Sequence, residues 1–113
     1  MTHEIFASAQ RSTGDLAGVF EYDGETGYFY LYETKGPGGS KVLDSIHVVS
    51  GPLELANEDV FVMWDASQEK VALFVRKVMW AVFDCTSGEK FGGRYKSDGR
   101  PIIPAELTFI QRR

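Results

Sequence analysis

The segment VMWAVFD, residues 78 to 84, constrains the fold more than any other stretch, because it is apolar at every position until Asp84. In an extended chain residues two apart share a face, so Val78, Trp80 and Val82 point one way and Met79, Ala81, Phe83 and Cys85 the other. A strand with two apolar faces must be covered on both. Residues 60–64 and 71–75 have the same character, and no stretch carries the apolar stripe of a long amphipathic helix that would supply the cover. The cover must come from a second sheet or from the wall of a small barrel.

Turn signals recur about every ten residues, at DGETG, KGPGGS, SGP, DASQEK, TSGEKFGG and KSDGRP, and the segments between them are rich in Val, Ile, Phe, Tyr and Trp. This spacing predicts strands near 4–9, 16–22, 28–34, 41–49, 60–65, 70–76, 78–85 and 106–111, with one short helical turn at PLELANED. The expected fold is mainly β, an antiparallel meander forming a two-layer sandwich or small barrel. At 113 residues the chain is expected to be a single domain, 1–113, with enough core to fold without metal or disulfide staples. The run from Val60 to Lys90 resembles one propeller blade, but a propeller needs about four copies and the chain has no second one.

Composition narrows the setting. The single Cys85 has no intrachain partner, which points to a reducing cytoplasm. The segment MTHEIFASAQRSTGD has neither a basic leader nor an apolar run of secretory length, so no targeting signal is expected. The longest apolar runs, VALFV and VMWAVF, fall far short of the ~20 residues of a membrane span, and no membrane partner is expected. The net charge of −4 is unevenly placed: residues 1–69 hold 3 Lys/Arg against 12 Asp/Glu, or −9, and residues 70–113 hold 9 against 4, or +5. Acidic and basic strands then face each other or solvent, or form a partner surface. An acidic face steers a basic partner, whereas the acidic total argues against general nucleic-acid affinity.

Four constellations invite a chemical reading. In FEYDGETGYFYLYE, Glu21, Asp23 and Glu25 match the first three ligand positions of a calcium loop, but Thr26 and Tyr32 stand where glycine and glutamate are needed. Asp23-Gly24 is instead a hairpin signal, completed by Thr26-Gly27 as a five-residue loop. KGPGGSK has Ser40 before Lys41 and leads into a β-branched run rather than a helix, so it lacks the phosphate-binding arrangement. Cys85 and His47 form a candidate thiol–imidazole pair, with Asp44 near in sequence; three positions apart, Asp44 and His47 project from opposite faces of a regular strand. Two histidines and one cysteine supply no evident zinc set, and no metal or other cofactor is expected.

The most informative feature is YFYLYE. Tyr28, Tyr30 and Tyr32 share one face and Phe29 and Leu31 the other. Burying Phe29 and Leu31 is favoured, because no hydroxyl must then find a partner. The tyrosines either pack beneath a neighbouring loop or form an amphipathic platform for a peptide, sugar or base. Phe20 and Tyr22 are expected to extend that platform across the hairpin. In the C-terminal stretch, Arg94, Lys96 and Arg100 are interleaved with Tyr95 in a segment suited to phosphate or carboxylate groups.

The stretches FEYDGETGYFYLYE, KVLDSIHVV and VALFVRKVMWAVFD resemble a small bacterial family of uncharacterised domains with a Phe-Glu-x-Asp-Gly-x-Thr-Gly-Tyr-Phe-Tyr signature, matched here by Phe20, Glu21, Asp23, Gly24, Thr26, Gly27, Tyr28, Phe29 and Tyr30. The resemblance implies a bacterial, cytoplasmic domain and supplies no activity or catalytic residue. The leading expectation is a non-catalytic interaction module with a protein partner, including an immunity-like inhibitor of a basic partner. Its candidate contact residues are Tyr22, Tyr28, Tyr30, Tyr32, Arg94 and Lys96. The rivals are a metabolite-binding barrel or small enzyme using Cys85, His47 or the strand-end carboxylates Asp65 and Asp84, and a single-stranded nucleic-acid binder using Arg94 and Lys96. A homodimer joined through a sheet edge is a further expectation.

Overall fold

The computed structural model describes residues 4–35, 39 and 41–93. Strands β1 (Ile5–Gln10), β2 (Leu16–Tyr22), β3 (Thr26–Glu33) and β4 (Lys41–Ser50) form one sheet in sequential order. A 3-10 turn at Asn57–Asp59, inside the PLELANED stretch, leads to the second sheet. That sheet contains β5 (Val60–Trp64), β6 (Lys70–Val75), β7 (Val78–Asp84) and β8 (Lys90–Gly92), again in sequential order. Every neighbouring pair is antiparallel. The result is two stacked meanders, a sandwich rather than a closed barrel. The strand expected at 106–111 lies outside the described residues. Among the described residues no helix is long and apolar enough to cross a membrane.

The inner faces supply a common core. Phe20, Phe29, Ile46 and Val48 of the first sheet meet Val62, Val71, Leu73, Ala81 and Phe83 of the second. Phe29 and Phe83 pack ring to ring across the gap, with centroids 5.1 Å apart. Polar contacts tie the margins of the sandwich together. The Trp64 indole Nε1–H donates to the Ala9 carbonyl at 2.9 Å, tying β5 to β1. Lys90 Nζ lies 2.7 Å from the Asp44 carboxylate, joining the acidic first sheet to β8.

Two irregularities of the second sheet bear on which side chains are neighbours. Ala81 pairs with Leu73 but Met79 pairs with Phe74, so Trp80 is an extra residue in β7. At this bulge strict alternation fails. Trp80 packs against the main core beside Ala81 and Phe83, while Met79 joins Ala72, Phe74 and Val82 on the other side of the sheet. The expectation that Val78, Trp80 and Val82 share a face is therefore corrected. A side chain at Gly92 (φ +95°) would collide with the Trp80 carbonyl, so this bulge requires a glycine opposite it.

The second irregularity is the β6–β7 turn. Val75 pairs with Val78, leaving Arg76 and Lys77 as a two-residue hairpin turn, both at positive φ (50° and 70°). Asn-Gly is the usual sequence there, and left-handed conformation costs other residues about 1–2 kcal/mol each. Tertiary contacts hold it: the Arg76 N–H donates to the Asp59 carbonyl at 2.7 Å, and its guanidinium reaches the Glu54 carbonyl and the Asp59 carboxylate.

Candidate functional site

The β2–β3 hairpin determines what the outer face of the first sheet presents. Four residues, Asp23 to Thr26, separate the paired Tyr22 and Gly27, one fewer than the five-residue loop expected, because the Asp23 carboxylate accepts the N–H groups of Glu25 (2.9 Å) and Thr26 (2.7 Å) and closes the turn locally. Gly24 takes φ +99°. Those hydrogen bonds hold the Asp23 carboxyl below the usual carboxylate range. The turn thus uses one of its carboxylate oxygens in reversing the chain.

With that loop length Tyr22 pairs with Gly27 and Glu21 with Tyr28. The outer face becomes a grid. One row across the four strands is Phe6, Glu21, Tyr28 and His47; the next is Ser8, Val19, Tyr30 and Ser45; the third is Gln10, Ala17, Tyr32 and Val42. The three tyrosines form a continuous ladder. Tyr28 stacks on Tyr30 with centroids 5.9 Å apart and ring planes 16° from parallel, and Tyr32 meets Tyr30 edge-on at 6.0 Å. Across the strands His47 stacks on Tyr28 at 4.7 Å and 13°, its Nε2 2.9 Å from the Val49 carbonyl oxygen.

All three ladder tyrosines are half-buried. At the β1 side the ladder borders an open groove of about 480 Å³, lined by residues that include Glu4, Phe6, Glu21, Asp23, Tyr28 and Tyr30. Phe6 is 60 % exposed, an unusual position for a large apolar ring. Burial, and then the charge of Glu21, push the Tyr30 phenol above its ordinary ionisation range. Neither Glu4 nor Glu21 forms an ion pair among the described residues.

The structure brings Tyr28, Tyr30 and Tyr32 together and places Tyr22 elsewhere. Tyr22 is 2 % exposed on the inner face. Its hydroxyl accepts the Leu53 N–H at 2.7 Å and lies 3.2 Å from the Gly51 carbonyl, pinning the connection between the sheets. Phe20 is likewise in the core, with no exposure. The shorter loop sets the register that turns both inward and puts Glu21 beside the tyrosines. Arg94 and Lys96 lie outside the described residues. Phe6, Glu21 and His47 were not singled out for this surface from the sequence. The alternation of IFASAQ marks Phe6 as opposite to Ile5, and Glu21 lies between two aromatic residues, but only the cross-strand register puts both beside Tyr28.

The other chemical constellations are dispersed. His47 faces outward on the first sheet, Asp44 is held by Lys90, and Cys85 follows β7 of the second sheet, packed against the core. Asp65 is buried and accepts the Ser67 hydroxyl and the N–H groups of Glu69 and Lys70. Asp84 accepts the N–H groups of Thr86 and Ser87. Both strand-end carboxylates close turns. Among the described residues no three His, Cys, Asp or Glu side chains are grouped to hold a metal ion.

Burial pushes the Cys85 thiol up, against the smaller opposing pull of Arg11. Alkylation of the folded protein by iodoacetamide near pH 7.5 is therefore expected to run at least about tenfold slower than alkylation of the unfolded chain. Rapid labelling of the native protein would overturn this and return Cys85 to the list of nucleophiles.

No curated protein and no solved structure matches the chain. A family model described as an uncharacterized protein conserved in bacteria, DUF2251, matches residues 1–94, a span that takes in both sheets. This chain belongs to the bacterial family DUF2251.

Proposed function

We propose that this protein is a non-catalytic binding module that docks a partner protein of basic surface on the outer face of its first sheet. The observation that carries the reading is the ladder of Tyr28, Tyr30 and Tyr32, continued by His47 and bordered by an open groove. Aromatic side chains on a rigid sheet offer large contact area with few rotamers to freeze, which is why Tyr dominates protein-binding surfaces. Neighbour stacking fixes these rings before any partner arrives, so little ordering entropy remains to be lost. Glu4 and Glu21 at the groove supply the charge that steers and orients a basic partner. An inhibitor that masks a cationic surface is the form of binding module this arrangement suits.

The test compares wild type with the Tyr28→Ala/Tyr30→Ala double variant in affinity capture from bacterial extract, followed by calorimetry on the captured protein. Circular dichroism first establishes that both are folded. Two truncated hot-spot residues, each worth about 1–2 kcal/mol, are expected to weaken the complex by roughly a hundredfold. Wild-type affinity should fall steeply with added salt. Equal capture and equal affinity for both proteins would discard the ladder as a docking face.

A further inference from the structure

The groove holds Phe6, Glu21 and Tyr28 of one cross-strand row, a carboxylate between two aromatic residues on neighbouring strands. Strands lie about 4.8 Å apart, so Phe6 and Tyr28, each one strand from Glu21, are separated by about 9.6 Å at the backbone. A planar cation between two rings needs about 7 Å, the sum of two contacts near 3.5 Å. The row therefore has the width to admit one. Glu21 is exposed and carries no ion pair among the described residues, and Glu4 adds a second unpaired carboxylate. The lining contains no lysine or arginine.

We propose that this groove is an arginine-binding site, in which a guanidinium from the partner lies between Phe6 and Tyr28 and pairs with the carboxylate of Glu21. This rests on the docking face argued above and specifies what that face recognises. Arginine fits the chemistry better than lysine on three counts. Its guanidinium is planar and stacks on aromatic faces, its fork of donors matches both oxygens of one carboxylate, and it sheds water more readily than an ammonium. A carboxylate alone on an exposed surface holds a cation weakly, but one flanked by rings adds a cation–π contribution and shields the pair from solvent. The negative field is already felt at the neighbouring ring, since the charge of Glu21 helps to hold the Tyr30 phenol above its ordinary range.

The experiment titrates the isotope-labelled full chain with three blocked tripeptides, Gly-Arg-Gly, Gly-Lys-Gly and Gly-citrulline-Gly, and follows the resonances of Phe6, Glu21, Tyr28 and Tyr30. Citrulline keeps the planar shape of arginine and removes its charge. The arginine peptide is expected to shift these residues at millimolar concentration, the lysine peptide to bind several-fold more weakly, and the citrulline peptide to leave them unmoved. Glu21→Gln, at an exposed position that the core does not use, should weaken arginine binding about tenfold while the spectrum elsewhere stays that of the folded protein. Equal shifts from citrulline and arginine, or an unchanged affinity in Glu21→Gln, would overturn the proposal. So would the absence of any shift at this row. The docking face is judged separately: a partner lost by Tyr28→Ala/Tyr30→Ala but retained by Glu21→Gln keeps the face and removes the arginine site.

Discussion

Replacing Phe29 by alanine is expected to destabilise the protein by about 3–5 kcal/mol, the range found for truncating a fully buried aromatic ring. Phe29 has no exposed surface, and its ring lies 5.1 Å from that of Phe83 in the opposite sheet. It also pairs with Phe20 on one side and Ile46 on the other, both core residues. Removing it opens a void where the two layers meet. Sheets built from paired strands cannot collapse into that void without breaking their ladders, so the upper part of the range is expected. Against a total stability of about 5–15 kcal/mol the loss is about a fifth or more. Denaturation by guanidinium, read by circular dichroism and tryptophan fluorescence, measures it; a loss below about 1 kcal/mol would contradict the packing described. Phe29→Leu, which keeps most of the volume, should recover much of the difference.

The second large effect is expected from adding atoms rather than removing them. Gly18 sits in β2 beneath the second sheet, and a methyl group there would lie 2.6 Å from Val71 Cγ2, 3.1 Å from Val62 Cγ1 and 3.2 Å from Phe29 Cε1. The first distance is shorter than real side chains tolerate, so the Val71 side chain or the layers themselves must shift. Gly18→Ala is expected to cost about 1–3 kcal/mol through overpacking. The restriction of the unfolded chain that usually favours such a change, about 0.4–1 kcal/mol, offsets only part of that. The cause can be isolated with Val71→Ala, which removes the methyl groups nearest to Gly18. The double variant Gly18→Ala/Val71→Ala should be more stable than the sum of the two single losses by at least about 0.5 kcal/mol. Strict additivity would show that the glycine is needed for some reason other than the closeness of the sheets.

Both expectations follow from a face assignment already visible along the chain. Period-two patterning in TGYFYLYE separates Phe29 and Leu31 from the tyrosines, and the structure buries Phe29 and leaves Tyr28, Tyr30 and Tyr32 half-buried on the far side. The strands near 16–22, 41–49, 60–65 and 70–76 were legible for the same reason. The three-residue β8 was not, since Lys90–Gly92 is too short to show a period and exists through its pairing with β7. The Arg76-Lys77 turn was equally opaque: neither residue type favours positive φ, and contacts from the segment around Glu54 and Asp59 hold it there. At Trp80 the pattern misled, because a bulge adds a residue and reverses the faces on one side of it.

The candidate site divides along the same line. The tyrosine stripe could be found in one strand, whereas Phe6 and Glu21 reached it through a register that depends on whether four residues or five separate the paired ends of β2 and β3. What the amino-acid order determined alone was the local part: extended segments, their apolar faces and the glycine-bearing turns, all properties of residues within a few positions of each other. The tertiary structure decided which strands slide to which register, where a bulge relieves a mismatch, and hence that Tyr22 anchors the core while Glu21 stands among the rings. A slip of one residue costs little in local backbone preference but exchanges every inside position for an outside one. The register is therefore set by the packing of both layers at once.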